Sequence, residues 1–354
     1  MHTQPASVKT ALKYLFSIFV TLFFLYFAFR GTDLSNLWQI LSGANYWWVL
    51  ASLPPLFISH LFRAWRWEYL LRPVKPNLRF RNLFSAMIVG YMLNNVLPRA
   101  GEIARPYAIG KLEGVSRSAA FGTVFMERIF DVLSFMVVIA LIPVVYSGPL
   151  TQILPWLEET SIWISAITLA ILACLVFLMI RRDIVVRFMN FLSRFLPKKY
   201  ADIVSRITHS FLDGFLFLKD RRSYAMIVFL SAMVWIFYII MMYLPFLAFG
   251  LTRDHGLDWN AALVIQAISS IGFMMPTPGA TGSYHYFVIE SMTKLYGVNM
   301  EIARSYATVT HAVGFLATMV VGLYFFLKDK LHLSEFSGGA SVPETIGGTV
   351  EHGS

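Results

Sequence analysis

The chain has 354 residues, of which 57% are hydrophobic and 14% charged, and its formal net charge is +9. Soluble globular proteins average about 45–50% apolar and about 25% charged residues, so this composition excludes an ordinary soluble protein and predicts an integral membrane protein. The excess of Lys and Arg then indicates charge asymmetry across a membrane rather than nucleic-acid binding. The only cysteine, Cys174, lies in an apolar run and excludes a disulfide scaffold.

Six stretches predict transmembrane helices, because a hydrocarbon core about 30 Å thick requires about 20 helical residues. They cover residues 11–29, 44–62, 119–145, 162–180, 224–250 and 305–327. The first is interpreted as a retained helix, since no small-x-small cleavage site follows it. The predicted fold is therefore an all-α polytopic membrane protein.

Two further apolar stretches are too short to span the bilayer. Leu83–Leu97 ends at Pro98, and Ala261–Met275 ends in the run from Pro276 to Gly282. Fifteen residues at 1.5 Å rise reach only about 22 Å. Since a second short helical stretch follows each break, we predict two re-entrant helical hairpins over about 83–113 and 261–296.

The hairpin turns share the pattern Pro-x-x-Gly, at Pro98/Gly101 and Pro276/Gly279, an offset of 276 − 98 = 178 residues. Each half, 1–150 and 151–330, is predicted to contain two spans, a hairpin and a third span. Because three spans is an odd number, the second half must insert upside down. Inverted repeats with interrupted helices are typical of transporters.

In this arrangement most basic residues fall on one face of the membrane. Because Lys and Arg are enriched on the cytoplasmic side, this face is predicted to be cytoplasmic, and both termini lie on it. The segment 183–220 is amphipathic and is interpreted as lying on the cytoplasmic interface, or alternatively as a helical lid over the loops. His60, Trp65 and Trp67 are interpreted as an interfacial belt. The Gly/Ser-rich tail, 334–354, is predicted to be disordered.

The first polar cluster, Asn95, Arg99, Glu102 and Arg105, lies at the first turn and on the returning half-helix. A free helix N-terminus beside arginines suits an anion such as phosphate. The alternative is that Arg99 and Arg105 extend to the interface as positive anchors while Glu102 caps the helix.

The second polar cluster, Glu127, Arg128 and Asp131, lies in an otherwise apolar span. Ionisable groups inside a membrane helix are costly, so they pair with one another or line a pathway. A structural interpretation pairs Arg99 or Arg105 with Glu127 or Asp131. The functional interpretation is a charged cavity that a polar headgroup enters.

The second hairpin offers hydroxyls and an imidazole as a third set of candidate binding residues: Thr277, Thr281, Ser283, Tyr284 and His285. Its hydroxyls and turn amides could hold an anion. His285 could carry a proton near neutral pH, or simply be hydrogen-bonded. The turns themselves are assigned to Pro98, Gly101, Pro276, Pro278, Gly279 and Gly282. The common nucleotide, metal and redox motifs are absent from the sequence, so no cofactor or metal is predicted.

These motifs resemble the lysylphosphatidylglycerol synthase transmembrane-region family, whose namesake contains a flippase domain. The resemblance rests on three ordered motifs: Asn95 through Arg105, Glu127 to Asp131, and Pro276 through Gly282. It implies movement of a lipid between membrane leaflets. The synthase domain of the namesake is not expected here. Many relatives have Gly-x-Arg-Glu after the second turn, whereas this chain has Ser283-Tyr284-His285-Tyr286.

We therefore expect a flippase of the bacterial inner membrane that moves an anionic phospholipid, or an aminoacylated, isoprenoid or glycosyl-phosphate lipid, and that is not an enzyme. Its expected partner is the lipid substrate, with a second copy of the chain or a lipid-synthesising enzyme as further candidates, and no nucleic acid. One alternative is a membrane enzyme acting on lipid-linked sugars through Glu102, Glu127 and Asp131. Another is a non-catalytic partner of a lipid-modifying enzyme.

Overall fold

The computed structural model describes residues 8–146 and 221–332. The predicted fourth span at 162–180, the amphipathic segment 183–220 and the tail 334–354 lie outside these residues. All regular elements of the described part are helical, as predicted. They are α1 (Val8–Phe29), α2 (Leu34–Gly43), α3 (Tyr46–Leu50), α4 (Leu53–Leu71), α5 (Phe80–Val96), α6 (Ala100–Glu113), α7 (Arg117–Val145), α8 (Arg221–Ala248), α9 (Leu251–His255), α10 (Trp259–Met274), a 3-10 turn (Pro278–Ala280), α11 (Ser283–Tyr296) and α12 (Met300–Lys328).

Three helices of the described part are long and apolar enough to cross a membrane: Arg117–Val145, Tyr224–Ala248 and Met300–Lys328. They coincide with three of the predicted spans. Shorter apolar helices cover Leu15–Phe29 and Trp259–Met274. The prediction of a helical membrane protein is thus confirmed.

The predicted second span, 44–62, is wrong in its bounds. The chain forms the short helix α3, capped by Asn45, whose side chain accepts a hydrogen bond from the Trp47 amide, and a new helix, α4, then begins at Leu53. Pro54 and Pro55 occupy the first turn of α4, where a missing amide hydrogen does no harm. Because α4 continues to Leu71, Arg63 lies inside a helix and not in a loop after it.

The first hairpin is formed by α5 and α6, which pack closely where two glycines meet. A Cβ at Gly101 would collide with the backbone of Gly90, and the Asn94 side chain accepts a 2.7 Å hydrogen bond from the Gly101 amide. Arg99 adopts a positive φ of 62° in the turn. The predicted turn after Pro98 is therefore present, with Gly101 required for the close approach of the two helices.

The helices of the second hairpin, α10 and α11, also pack closely at a glycine. A Cβ on Gly272 would lie 2.9 Å from the amide nitrogen of Tyr284. The Ser283 hydroxyl donates to the Gly272 carbonyl at 2.8 Å and lies 2.8 Å from the Thr277 hydroxyl. The turn after Pro276 and Pro278 contains two positive-φ glycines, Gly279 and Gly282.

The hairpins enter from opposite ends of the helix bundle. At one end, the Lys75 ammonium lies 3.9 Å from Glu113 at the base of the first hairpin, and Arg81 pairs with Asp329. At the other end, the Tyr146 hydroxyl donates to the Leu295 carbonyl at the base of the second hairpin. The two turns meet between these ends, where a Cβ on Gly279 would lie 3.1 Å from the Asn95 side-chain oxygen.

The helices of the two hairpins and of the spans that follow them have matching lengths. Helices α5, α6 and α7 contain 17, 14 and 29 residues, and α10, α11 and α12 contain 16, 14 and 29. The predicted offset of 178 residues fits the ends of α5 and α10, at 96 and 274. After the turns, α6 and α11 begin at 100 and 283, an offset of 183, because the second turn is longer.

Candidate functional site

A network of ion pairs joins α4, α6 and α7 inside the bundle. Its members are Arg63 and Arg66 from α4, Arg105 from α6, and Glu127, Arg128 and Asp131 from α7. We call these six residues the arginine–carboxylate cluster. The structure therefore brings together three predicted site residues of α7 with one of α6, and adds two arginines from α4.

Glu127 is the centre of the cluster and its side chain is fully buried. Its two oxygens accept hydrogen bonds of 3.1 and 2.6 Å from Arg105, which is 2% exposed. Arg128 and Arg63 donate to the same carboxylate at 3.0 and 3.2 Å. The pairing of Arg105 with Glu127 was one of the two interpretations open from the sequence, and the structure confirms it.

The Trp67 indole lies against the Arg105 guanidinium. The guanidinium carbon lies 4.3 Å from the centroid of the indole, a distance at which a cation is attracted to the aromatic face. The indole N–H donates to the Thr123 hydroxyl at 3.0 Å. Trp67 and His60 are buried, so their predicted role as interfacial belt residues is wrong; only Trp65 of that set is exposed. The cause is again the displaced start of α4.

Asp131 forms the second centre of negative charge. Arg63 donates to it at 2.7 Å, Arg128 lies 3.2 Å away, and Arg66 also donates to it. Arg63 thereby bridges both carboxylates, so all six side chains belong to one connected network.

Helix α8 completes the site with two hydroxyls. The Tyr238 hydroxyl accepts a 2.8 Å hydrogen bond from Arg63, and the Ser231 hydroxyl accepts a 2.9 Å hydrogen bond from Arg66. Arg63, Asp131 and Tyr238 each lie close to the middle of their helices, α4, α7 and α8. Since α7 and α8 are long enough to cross the membrane, these three side chains lie deep in the bundle.

The cluster has more positive charge and more donors than its own carboxylates can satisfy. Four guanidinium groups face two carboxylates, which leaves two positive charges. The Nε atoms of all four arginines are buried and have no hydrogen-bond partner among the described residues. The same is true of the Tyr91 hydroxyl and of both ring nitrogens of His60. Tyr91 adjoins the cluster, since the Arg63 guanidinium lies 5.4 Å from its ring and the His60 ring 5.0 Å from it.

One side of the cluster is open. The side chains of Arg128 and Asp131 are 37% and 24% exposed, whereas Glu127, Arg105 and Arg66 are enclosed. Arg128 and Asp131 are therefore the members of the cluster that are accessible from outside the bundle, while the Arg105–Glu127 pair is enclosed.

The remaining residues of the first predicted cluster lie elsewhere. Arg99 is exposed at the first turn, and neither Arg99 nor Glu102 forms an ion pair within the described ranges. Asn95 donates to the Phe315 carbonyl at 3.4 Å and contacts the second turn. Asn95 thus connects the two hairpins, while Arg99 and Glu102 are separate from the arginine–carboxylate cluster.

The predicted residues of the second hairpin mainly stabilise its turn. Thr277 and Ser283 hydrogen-bond to each other, and the Tyr284 hydroxyl lies 3.0 Å from that of Thr310. The rings of His285 and His311 lie 4.7 Å apart. The remaining hydroxyl, that of Thr281, forms no side-chain hydrogen bond within residues 8–146 and 221–332. These polar groups bring no cationic side chain to the turn, unlike the arginine–carboxylate cluster.

Five residues at this site were not predicted from the sequence: Arg63, Arg66, Tyr91, Ser231 and Tyr238. Pro54-Pro55 was the available signal, because prolines mark the first turn of a helix and would have moved the second span past Arg63 and Arg66. No signal in the sequence could have connected Tyr238 to Arg63, which is 175 residues away. Within the described part, no group of three or more His, Cys, Asp or Glu side chains could hold a metal ion.

Residues 14–322 match the family described as the lysylphosphatidylglycerol synthase transmembrane region. The chain belongs to this family. Its two hairpins and the arginine–carboxylate cluster all lie within the matched residues.

Relatives of the chain cover most of its length. A UPF0104 membrane protein of Methanocaldococcus jannaschii is 23% identical over 82% of this chain and 87% of the relative. A UPF0104 membrane protein of Methanothermobacter thermautotrophicus is 28% identical over 79% of this chain and 81% of the relative. The glycosyltransferase AglD of Haloferax volcanii is 24% identical over 85% of this chain and 52% of AglD. The chain is a multi-pass membrane protein, and because these relatives are archaeal, a bacterial inner membrane stays a prediction.

Proposed function

We propose that this protein moves a lipid with an anionic, phosphate-bearing headgroup between membrane leaflets, and that the arginine–carboxylate cluster binds the headgroup. The observation that carries the proposal is the surplus of positive charge inside the bundle, where four arginines of α4, α6 and α7 face two carboxylates. A single charge at the centre of a bilayer costs about 2.5–3.5 kcal/mol even by the most permissive scale. A fixed site of opposite charge lowers that cost while the acyl chains stay in the membrane.

The arrangement of the helices supports this proposal. Two hairpins that enter from opposite ends and meet at their turns are what an inverted repeat with re-entrant hairpins requires. Irregular backbone at membrane depth is tolerated where it is buried in protein or lines a cavity. We place both termini in the cytoplasm, since Lys75, Arg81, Lys111 and Lys330 gather at one end of the bundle.

A transferase activity is the second candidate, because the relative AglD is a glycosyltransferase. The contacts of the carboxylates favour transport. Glu127 and Asp131 are each engaged in ion pairs with several arginines. A general acid and base pair would need one carboxyl group free of such contacts beside the other. Within the described part of the chain Glu102 is free of ion pairs, but no hydrogen bond or ion pair there connects it to Glu127 or Asp131.

Reconstituted vesicles test the proposal. Purified protein is inserted into liposomes that contain phosphatidate or phosphatidylglycerol carrying a fluorescent label on an acyl chain, and dithionite quenching reports the label that reaches the outer leaflet. Wild-type protein should move at least one of these lipids well above the rate in protein-free vesicles. Arg128→Gln should slow the fastest lipid about tenfold, since a charge-assisted hydrogen bond contributes about 1.5–3 kcal/mol.

Arg72→Gln is the matched control. Arg72 lies at the end of α4, pairs with Glu68 at 3.0 Å and is largely exposed, outside the cluster. We expect wild-type rates from this variant. Rates for the wild type that equal those of protein-free vesicles for every anionic lipid contradict the proposal.

A further inference from the structure

The balance of charge and donors in the cluster restricts which headgroup it fits. Four arginines and two carboxylates leave two positive charges in one network, connected through Arg63, which contacts both Glu127 and Asp131. Buried charge that lacks a counter-charge is strongly unfavourable. One bound phosphate group that carries two negative charges neutralises the network, whereas a group with one charge leaves it positive.

The unpartnered donors lead to the same conclusion. Nε–H groups of Arg63, Arg66, Arg105 and Arg128 have no acceptor among the described residues, and Arg66 and Arg105 are almost completely buried. The Tyr91 hydroxyl adds a neutral donor beside Arg63. A terminal phosphate offers three acceptor oxygens, and a phosphodiester keeps only two that are not esterified. The headgroup with more acceptors is therefore the better match.

We infer that the preferred substrate is a lipid whose headgroup is a dianionic phosphate, in preference to a phosphodiester lipid with one charge. This inference rests on the proposed function and specifies the substrate class of the same site. It places the phosphate between Arg63 and Arg128 on the open side of the cluster, where Asp131 is 24% exposed.

The test compares two lipids of nearly equal size that differ in charge. Phosphatidate is a phosphomonoester, and phosphatidylmethanol with the same acyl chains is a phosphodiester with one negative charge. At pH 8, wild-type protein in vesicles should move phosphatidate about tenfold faster, as expected for one additional charge-assisted contact. At pH 5 the advantage should shrink, because a phosphomonoester loses its second charge below about pH 6.

A change of the site's own charge provides an independent measurement. Arg128→Gln lowers the surplus from two positive charges to one, so the ratio of the two rates at pH 8 should fall to about one, while Arg72→Gln keeps the wild-type ratio. If Arg128→Gln does not fold, the comparison of the two lipids with wild-type protein at the two pH values still tests the preference for a dianionic phosphate.

The possible outcomes separate the two proposals. Equal rates for both lipids at pH 8, each above the protein-free rate, overturn the inference and leave the transport function standing. If neither lipid moves and phosphatidylglycerol does not move either, both proposals are overturned. Movement of phosphatidylglycerol alone overturns only the inference. Uptake of radiolabelled inorganic phosphate into the vesicles, without movement of phosphatidate, overturns the assignment to a lipid.

Discussion

At the scale of single residues, Glu127 is the side chain on which the site depends. It is fully buried and contacts Arg63, Arg105 and Arg128 within 3.2 Å. Two of these contacts come from other helices, so its carboxylate links α7 to α4 and α6. Its loss would leave the buried Arg105 guanidinium without a counter-charge, because Arg105 forms no other ion pair among the described residues.

We expect Glu127→Gln to destabilise the protein by about 3–5 kcal/mol, the usual cost of removing one partner of a buried ion pair. The measurement is the thermal unfolding of the detergent-solubilised protein. Glu68→Gln is the control, because Glu68 pairs with the largely exposed Arg72 and surface pairs contribute about 0–1 kcal/mol. An effect of Glu127→Gln no larger than that of Glu68→Gln would show that the cluster does not stabilise the fold.

Individual residues also show how far the sequence could predict the site. Glu127, Arg128 and Asp131 were predictable, because burying ionisable side chains in a membrane helix costs free energy, so such residues pair with one another or line a pathway. Arg63 and Arg66 were not recognised, since the second span was placed too early and both appeared to be loop residues. Ser231 and Tyr238 resemble ordinary polar residues of a membrane helix, and only the fold brings them to the arginines.

At the scale of elements, the two hairpins depend on small residues where their helices touch. Gly101 allows α6 to lie against the backbone of Gly90, and a Cβ on Gly90 would lie 2.5 Å from the Arg105 side chain. The first hairpin therefore positions Arg105 directly. Breaks at proline and glycine predicted both hairpins, but the five additional residues of the second turn shifted the repeat in a way that motif spacing alone could not show.

Gly101→Ala should disrupt the first hairpin, because the new Cβ would meet the Gly90 carbonyl and lie 2.9 Å from the Asn94 side-chain oxygen. Overpacking of this kind typically costs about 1–3 kcal/mol. We expect a lower unfolding temperature and slower lipid movement, since Arg105 would shift with α6.

Gly314→Ala is the matched control for this substitution. Gly314 lies inside α12, and a Cβ there would meet nothing within 4 Å. Alanine has a helix propensity up to about 1 kcal/mol better than that of glycine, so the unfolding temperature should stay the same or rise. Equal effects of the two substitutions would contradict the close-packing argument.

At the scale of the whole molecule, the bases of the two hairpins lie at opposite ends of the bundle, so we expect them on opposite sides of the membrane. After Cys174→Ser, single cysteines are introduced by Ser116→Cys, before α7, and Asn260→Cys, at the base of the second hairpin; both positions are exposed. A membrane-impermeant maleimide should label Asn260→Cys in intact cells and Ser116→Cys only after permeabilisation. Labelling of both from one side would rule out the inverted arrangement.

The sequence predicted the helical class, the spans at 119–145, 224–250 and 305–327, and the two interruptions, because these follow from local hydropathy and from proline and glycine. Contacts between elements that are distant in the sequence could not be predicted in this way. The approach of α1 to the second turn, where a Cβ on Gly282 would lie 2.8 Å from the Thr21 carbonyl, depends on how complete helices pack. The meeting of the two turns at Asn95 and Gly279 depends on the same packing.

The hydroxyls of α8 are the contacts of the cluster that a bound anion would replace first. Arg63 and Arg66 each hold a carboxylate and also a neutral hydroxyl, that of Tyr238 or Ser231. An arginine is held to a carboxylate by Coulomb attraction as well as by a hydrogen bond, whereas a neutral hydroxyl supplies only the hydrogen bond, so an arriving anion would displace the hydroxyls before the carboxylates. Occupancy would thus first loosen the attachment of α8, which comes from the other half of the chain, and the second half would respond to a headgroup bound mainly by the first.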